Sequence, residues 1–192
     1  SQVYAPGLAI YGEQLSAEGV LAGDWWDVVP LLDGRSAVIV TDISGHGPAA
    51  GFAGIRLKLR LTEVLNSGGN ALTAIERGCE LFKEDGALFA TVALVIVDPN
   101  TRSVEWINAG HPAPLIIGSD GSAFELGVTG PLLSTLGGNW RSDSVGIDHG
   151  DLIVVCTDGI TESHDADGDQ LEEAGLVTLI DHARKSGNST PQ

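Results

Sequence analysis

The chain has 192 residues, 43% of them hydrophobic, and its 26 acidic against 10 basic side chains leave a formal net charge of −16. That length suits one globular domain with a substantial core, no apolar run reaches the roughly 20 residues needed to cross a bilayer, and charge of this sign repels nucleic acid and anionic membrane surfaces. The N-terminus shows no signal-peptide pattern, and Cys79 and Cys156 each lie in apolar sequence, where a free buried thiol is commoner than a bridge, so a reducing cytoplasm is the expected setting.

Residues 8–15 and 25–32 read as strands, and Asp33-Gly34 is a turn signal feeding a third apolar run over 37–43, which predicts a hairpin. After ISGHG, Pro48 suits the first turn of a helix and no further proline follows before Leu65, so a helix is expected over 48–65. Its apolar residues Phe52, Ile55, Leu57, Leu59, Leu61, Val64 and Leu65 spread around most of the circumference, which predicts a helix buried between other elements. Gly68-Gly69 breaks the pattern. Asn70 is a candidate N-cap, and Leu72, Ile75, Cys79 and Phe82 form one stripe of a second helix over about 71–85. From Phe89 onward the texture changes to short β-rich runs at 91–98, 103–108, 115–117, 123–126, 142–147 and 152–156. Leu176, Leu179, Ile180 and Ala183 mark a short C-terminal helix. Helices early and strands late around one core predict an α+β fold with packed sheets, and no internal repeat or low-complexity linker interrupts it.

Three aspartates stand at the ends of apolar strands beside glycine: Asp24 in AGDWWD, Asp42 in TDISGHG and Asp158 in CTDGITE. Singly, each reads as turn chemistry, Asp158-Gly159 above all. As a set they carry more, because carboxylates converging at the rim of a buried sheet cannot all ionise cheaply unless a cation compensates them. Oxygen-only donors favour Mg²⁺ or Mn²⁺, and no HExxH, CxxC or Cys/His cluster points to zinc. Two such ions can acidify a water and orient a phosphoryl group without any nucleophilic side chain.

The segments AGDWWDVVPLLDGRSAVIVTDISGHGPAA, LFATVALVIVDPNTRSVEWINAGHPAPLII and HGDLIVVCTDGITES, in that order, resemble the bacterial SpoIIE-type branch of the PPM (protein phosphatase 2C-like) family over residues 8–171. The resemblance implies a central β-sandwich of two antiparallel sheets flanked by helices, a four-layer αββα arrangement, with a two-metal centre at one end. It makes Asp42 the carboxylate shared by both Mn²⁺ or Mg²⁺ ions, Asp24 a ligand of one, Asp158 a ligand of the other and the main-chain carbonyl of Ile43 a further ligand. Asp27 ranks as support only, since an odd offset from Asp24 in a strand points its side chain to the opposite face; Gly159 is support by permitting close backbone approach. The implied activity is hydrolysis of phosphoserine or phosphothreonine on a protein, with a STAS-type anti-sigma-factor antagonist as the expected partner and an adjoining sensory or regulatory domain.

Two features depart from the family pattern. Ala22 precedes Gly23-Asp24 where relatives often have a second glycine. Relatives also continue through another helix to a final strand bearing an Asp-Asp pair that supplies one more ligand, whereas this chain stops at Gln192; Asp165, Asp167, Asp169 and Asp181 lack that context. The whole chain is therefore expected to be one catalytic domain short of its last helix and strand, with one metal site weakly occupied. The alternative is a PPM-fold regulatory module with little or no catalysis.

His46, four residues after Asp42, is read either as a proton donor to the leaving oxygen or phosphate, or as a turn-capping residue in SGHG. His111 in NAGHPAP is read as structural, in a segment bordering the cleft, and His149 as solvent-facing. One of Trp25 and Trp26 is expected in the core and the other under the helix that starts near Pro48. Arg56, Lys58 and Arg60 form the basic cluster of an acidic chain, read as a solvated helix face or a protein contact. A cysteine-dependent phosphatase is excluded, because position 85 is Asp and position 162 is Glu where a Cys-x5-Arg loop needs arginine; no GxxxxGK[ST] supports a P-loop enzyme.

Overall fold

The structure, a computed structural model, describes residues 2–5, 7–14, 23–84, 88–164 and 170–185. In chain order a hairpin, β1 (Gln2–Ala5) with β2 (Leu8–Tyr11), is followed by β3 (Trp25–Pro30) and β4 (Ser36–Ile43), then α1 (Pro48–Asn66) and α2 (Ala71–Glu84). Six strands come next: β5 (Ala90–Asp98), β6 (Ser103–Ala109), β7 (Leu115–Ile117), β8 (Ala123–Glu125), β9 (Asp143–Gly146) and β10 (Leu152–Val154). A single turn, α3 (Asp158–Thr161), and α4 (Glu172–Lys185) close the described chain.

The β-branched runs SAVIVTDI and ATVALVIVD pair at the centre of a five-stranded antiparallel sheet ordered β3-β4-β5-β6-β9. Both strands are nearly continuous in Val, Ile and Ala because both faces of the sheet are covered. The faces separate by the two-residue period of a strand. Ile39, Ile43, Val92, Leu94, Ile96 and Ile107 meet Leu57, Leu61 and Leu65 of α1 and Ile75, Cys79 and Phe82 of α2. On the other face Val95, Val97, Val104 and Trp106 meet Ile116 and Ile153 of the three-stranded antiparallel sheet ordered β10-β7-β8, and Leu126 and Val155 just beyond its strands. α4 reaches that second sheet through Arg184, whose guanidinium donates to the carbonyls of Ile117 (3.2 Å), Gly118 (3.0 Å) and Gly150. The fold is thus α+β with two antiparallel sheets between helices.

Most predicted elements are present. Asn70 caps α2 as expected, its Oδ1 accepting from the Thr73 N–H at 2.8 Å. Three expectations are corrected. The strand predicted over 8–15 ends at Tyr11, its last residue lies outside the described residues, and its partner β1 carried no clear signal. α1 is not buried all round: Leu57, Leu61 and Leu65 are buried, but Phe52, Ile55 and Leu59 are 62%, 48% and 64% exposed. The stripe predicted for α4 is only half right, because Leu179 is 57% exposed while Leu176 and Ile180 are half-buried. Neither cysteine forms a disulfide; Cys79 is buried and Cys156 half-buried. Among the described residues no helix is long and apolar enough to cross a membrane.

Candidate metal centre

β3 enters the sheet with Trp25 opposite Thr41, so Asp24, one residue earlier, arrives level with Asp42 near the end of β4. Gly23 makes that entry possible. A Cβ at this position would lie 2.8 Å from Ile43 Cβ and 3.2 Å from the Ile43 carbonyl oxygen, too close for any side chain. The same contact puts the Ile43 carbonyl beside the start of the Asp24 segment. Asp42 in turn lies opposite Thr91 of β5, on the face of the sheet turned toward the second sheet.

Asp24 lies close enough to Asp42 for the Asp42 carboxyl to shift its titration. The Asp24 pKa is pushed up to about 6, chiefly by burial, then by the Asp42 carboxyl and its charge, then by the charge of Asp158; the Ile43 N–H, donating to Asp24, opposes the rise. Asp158 opens α3 and is exposed, and its carbonyl accepts from the Glu162 N–H at 2.7 Å. It acts on the pair by charge. Among the described residues no three His, Cys, Asp or Glu side chains converge closely enough to hold an ion.

The chemistry of these donors fits a hard divalent cation. Two half-buried carboxyls side by side are short of positive charge, a neighbouring carboxylate adds to the deficit at Asp24, and the candidate donors are all oxygen.

The other candidate residues lie apart from the pair. Asp27 faces α1, on the opposite side of β3 from Asp24; its Oδ1 accepts from the Val28 N–H at 2.8 Å and its Oδ2 lies 3.1 Å from Lys58 Nζ. Lys58 also sits 5.5 Å from the centroid of the Trp25 ring, so Trp25 packs under α1 while the Trp26 ring lies against Gly12. His46 is exposed between Gly45 and Gly47, both at positive φ. Gly159 is exposed, and a Cβ there would meet only Thr157 Oγ1 at 3.9 Å, so the protein's own atoms do not require the close approach expected of it. His149 is exposed.

His111, read from the sequence as structural, is one of the few buried polar side chains. It is 2% exposed, its N–H donates to Asn108 Oδ1 at 2.8 Å, and its Nδ1 lies 2.8 Å from Thr91 Oγ1. Burial holds its pKa below the usual value, against the opposing pull of Asp42, the Cys156 carbonyl and Asp158. The available signal was the Asn108-x-x-His111 spacing, which folds the segment back on itself after β6.

A family model described as Stage II sporulation protein E (SpoIIE) matches residues 32–191. Protein IcfG from Synechocystis sp. is 34% identical, with 74% of this chain and 27% of that protein covered. Among solved structures, the RsbU and RsbW domains of Rv1364c from Mycobacterium tuberculosis are 29% identical at a TM-score of 0.71, covering 88% of this chain and 47% of that one. The SiaA-PP2C domain of Pseudomonas aeruginosa, 19% identical at a TM-score of 0.73, covers 86% of this chain and 68% of that one and shows the shared fold. The chain therefore spans about a quarter of the curated relative and about half of the mycobacterial chain.

Proposed function

Since the chain belongs to the SpoIIE family of PP2C-like, metal-dependent phosphatases, we propose that it hydrolyses phosphoserine or phosphothreonine on a protein substrate. The observation that carries this reading is the Asp24–Asp42 carboxyl pair at the rim of the sandwich, with Asp24 raised to about 6 and Asp158 near enough to add to the shift. Asp42 would be shared by two Mn²⁺ or Mg²⁺ ions, with Asp24, Asp158 and the Ile43 carbonyl completing what this chain offers. When bound, the metal supplies the positive charge that acidifies a water and draws electron density from the phosphoryl group.

The protein's own groups do the rest. β3 and β4 hold Asp24 and Asp42 face to face, and the Ile43 N–H orients the Asp24 carboxyl. Gly45 and Gly47, both at positive φ, shape the turn after Asp42 that exposes Gly45 and His46, where a phosphorylated segment can approach. The partner that fits this reading is a phosphorylated regulatory protein of the STAS anti-sigma antagonist type; the RsbW domain that accompanies the RsbU domain of Rv1364c supports a signalling role. Residues 1–192 are read as a single catalytic domain of a longer protein that also carries a sensory or regulatory domain, and two cysteines without a disulfide fit a cytoplasmic setting.

The test is phosphate release from a phosphothreonine peptide with Mn²⁺, with Mg²⁺ and with chelator, for the wild type and Asp42→Ala. Metal-dependent release that Asp42→Ala abolishes is the expected result. A second reading, a regulatory module of the same fold without catalysis, is favoured by the lack of any three converging donors among the described residues. Absence of metal-dependent release, both here and in a chain extended through further C-terminal sequence, would establish it instead.

A further inference from the structure

The five-stranded sheet has two edges, β3 and β9, and only one of them is guarded. In an antiparallel ladder alternate residues turn their N–H and C=O groups toward the partner strand, and the rest turn them outward. Past the end of β3 the Leu31 N–H donates to the Arg35 carbonyl at 2.8 Å, which with the β3–β4 register makes Trp26, Val28 and Pro30 the outward-facing residues. Pro30 has no N–H to offer, and the Val28 N–H is taken by Asp27 Oδ1 at 2.8 Å. Devices of this kind keep an edge strand from pairing with another chain.

β9 has neither device. The Ile147 N–H donates to the Arg102 carbonyl at 2.9 Å, so Asp143 and Val145 face β6, while Ser144 and Gly146 turn their N–H and C=O groups away from it. Among the described residues nothing bonds to those outward groups. Both residues are exposed, and the strand, DSVG, carries no proline and no lysine.

Ser144 also borders a groove. It stands in one cross-strand row with Glu105 of β6 and Ile96 of β5, and together with Arg35, Asp98 and Asp143 these residues line a space of about 240 Å³. Positive charge is short there. The Arg35 guanidinium is divided between Asp33 at 2.9 Å and Glu105 at 3.3 Å, and Asp143 has Arg141 at 3.4 Å. Four carboxylates, counting Asp98, thus share two guanidinium groups, in a chain whose net charge is −16. A side chain entering past the small Ser144 must bring a positive charge, or it strips water from carboxylates without replacing it.

We propose that β9 is a docking edge for an extended segment of a partner protein, which adds to the sheet as a further strand and places a lysine or arginine in the acidic groove. Main-chain bonds to Ser144 and Gly146 supply the affinity, and the groove selects the side chain. Arg35 adjoins the start of β4 and Asp42 stands near its end, so this surface is separate from the candidate metal centre and independent of the metal reading.

The probe is a capped heptapeptide alternating lysine with valine, titrated into the intact nitrogen-15-labelled chain and followed by amide NMR and hydrogen exchange. Shifts centred on Ser144 and Gly146 are expected, with slower exchange of both amides and no change at Asp42. N-methylation of the central peptide nitrogens, which blocks strand pairing, should abolish those shifts. Ser144→Pro, which removes an outward donor and spares the bonds to β6, should do the same. Glu105→Gln should weaken binding by about two- to fivefold, as suits a partly exposed ion pair, and glutamate in place of lysine in the peptide should weaken it further.

No shift at Ser144 and Gly146 overturns the proposal, as does unchanged affinity for the N-methylated peptide. Equal affinity for the lysine and glutamate peptides overturns the choice of a basic segment. If Ser144→Pro fails to fold, the N-methylated peptide gives the deciding result. The same shifts on concentrating the chain without peptide would mean that a second copy occupies the edge, which also overturns it.

Discussion

Asp24 carries a conflict between stability and function. Its folded pKa of about 6 lies above the ordinary 3.8, burial being the main cause. Between those two values the folded chain holds more of the proton than the unfolded chain, so this group's contribution to the stability of the metal-free protein falls as pH rises from about 4 to about 6 and stays low above that. Asparagine has no proton to lose and can donate to Asp42. In chelator, Asp24→Asn should therefore unfold at a higher urea midpoint than the wild type near neutral pH, with the gap closing toward pH 4, while Mn²⁺ binding is lost. Equal midpoints across that range would refute the prediction. The nearness of Asp24 and Asp42 was legible in the sequence, because each stands at the end of a strand beside glycine and the two strands form a hairpin. The burial of His111 was not. A lone histidine before proline reads as turn chemistry, and its hydrogen bond to Thr91 of β5 is made across twenty residues of sequence.

At the scale of elements, the contact between α1 and β3 decides how firmly Asp24 is held. A Cβ on Gly54 of α1 would lie 2.8 Å from the Gly23 carbonyl oxygen and 3.4 Å from Trp25 Cδ1. The nearer atom is backbone and cannot rotate away, so a side chain at Gly54 must push the helix off the strand. Gly54→Val is expected to cost about 1–3 kcal/mol in chemical denaturation and to weaken Mn²⁺ binding, because the displaced carbonyl adjoins Asp24. Phe52→Ala on the exposed face of the same helix should change stability by less than about 0.5 kcal/mol. A Gly54→Val protein matching the wild type in both measurements would show that α1 does not bear on the site. Lys58→Ala removes the ion pair with Asp27 and the contact with Trp25, yet both charges are about a third exposed or more, so a loss of about 1 kcal/mol or less is expected. The helix itself was legible from its proline start and long apolar content. Which side is buried was not, since apolar residues lie all round it and only the contacts of Leu57, Leu61 and Leu65 with the sheet and α2 choose a face.

At the scale of the molecule, the two-sheet α+β fold was legible because the strand runs are separated by strong turn signals and the two helices fall between them. The N-terminal hairpin and the attachment of α4 were less so, because the first rests on a strand of four residues and the second on one arginine reaching three main-chain carbonyls. The charge of −16 was plain from the start, and its meaning depends on how it is neutralised. Monovalent salt screens self-repulsion over the whole surface and should raise the melting temperature of the wild type and Asp42→Ala alike. A divalent ion held at Asp24 and Asp42 acts differently. It binds the folded chain only, and at a hundredfold excess over its dissociation constant it stabilises by about 2.7 kcal/mol, which for a chain of this size raises the melting temperature by roughly 5–10 °C. At matched ionic strength, Mn²⁺ should therefore give the wild type an increment beyond that of KCl, chelator should remove it, and Asp42→Ala should lack it. An equal increment in both proteins would mean that the acidic surface, and not the strand-end pair, is what the cation finds.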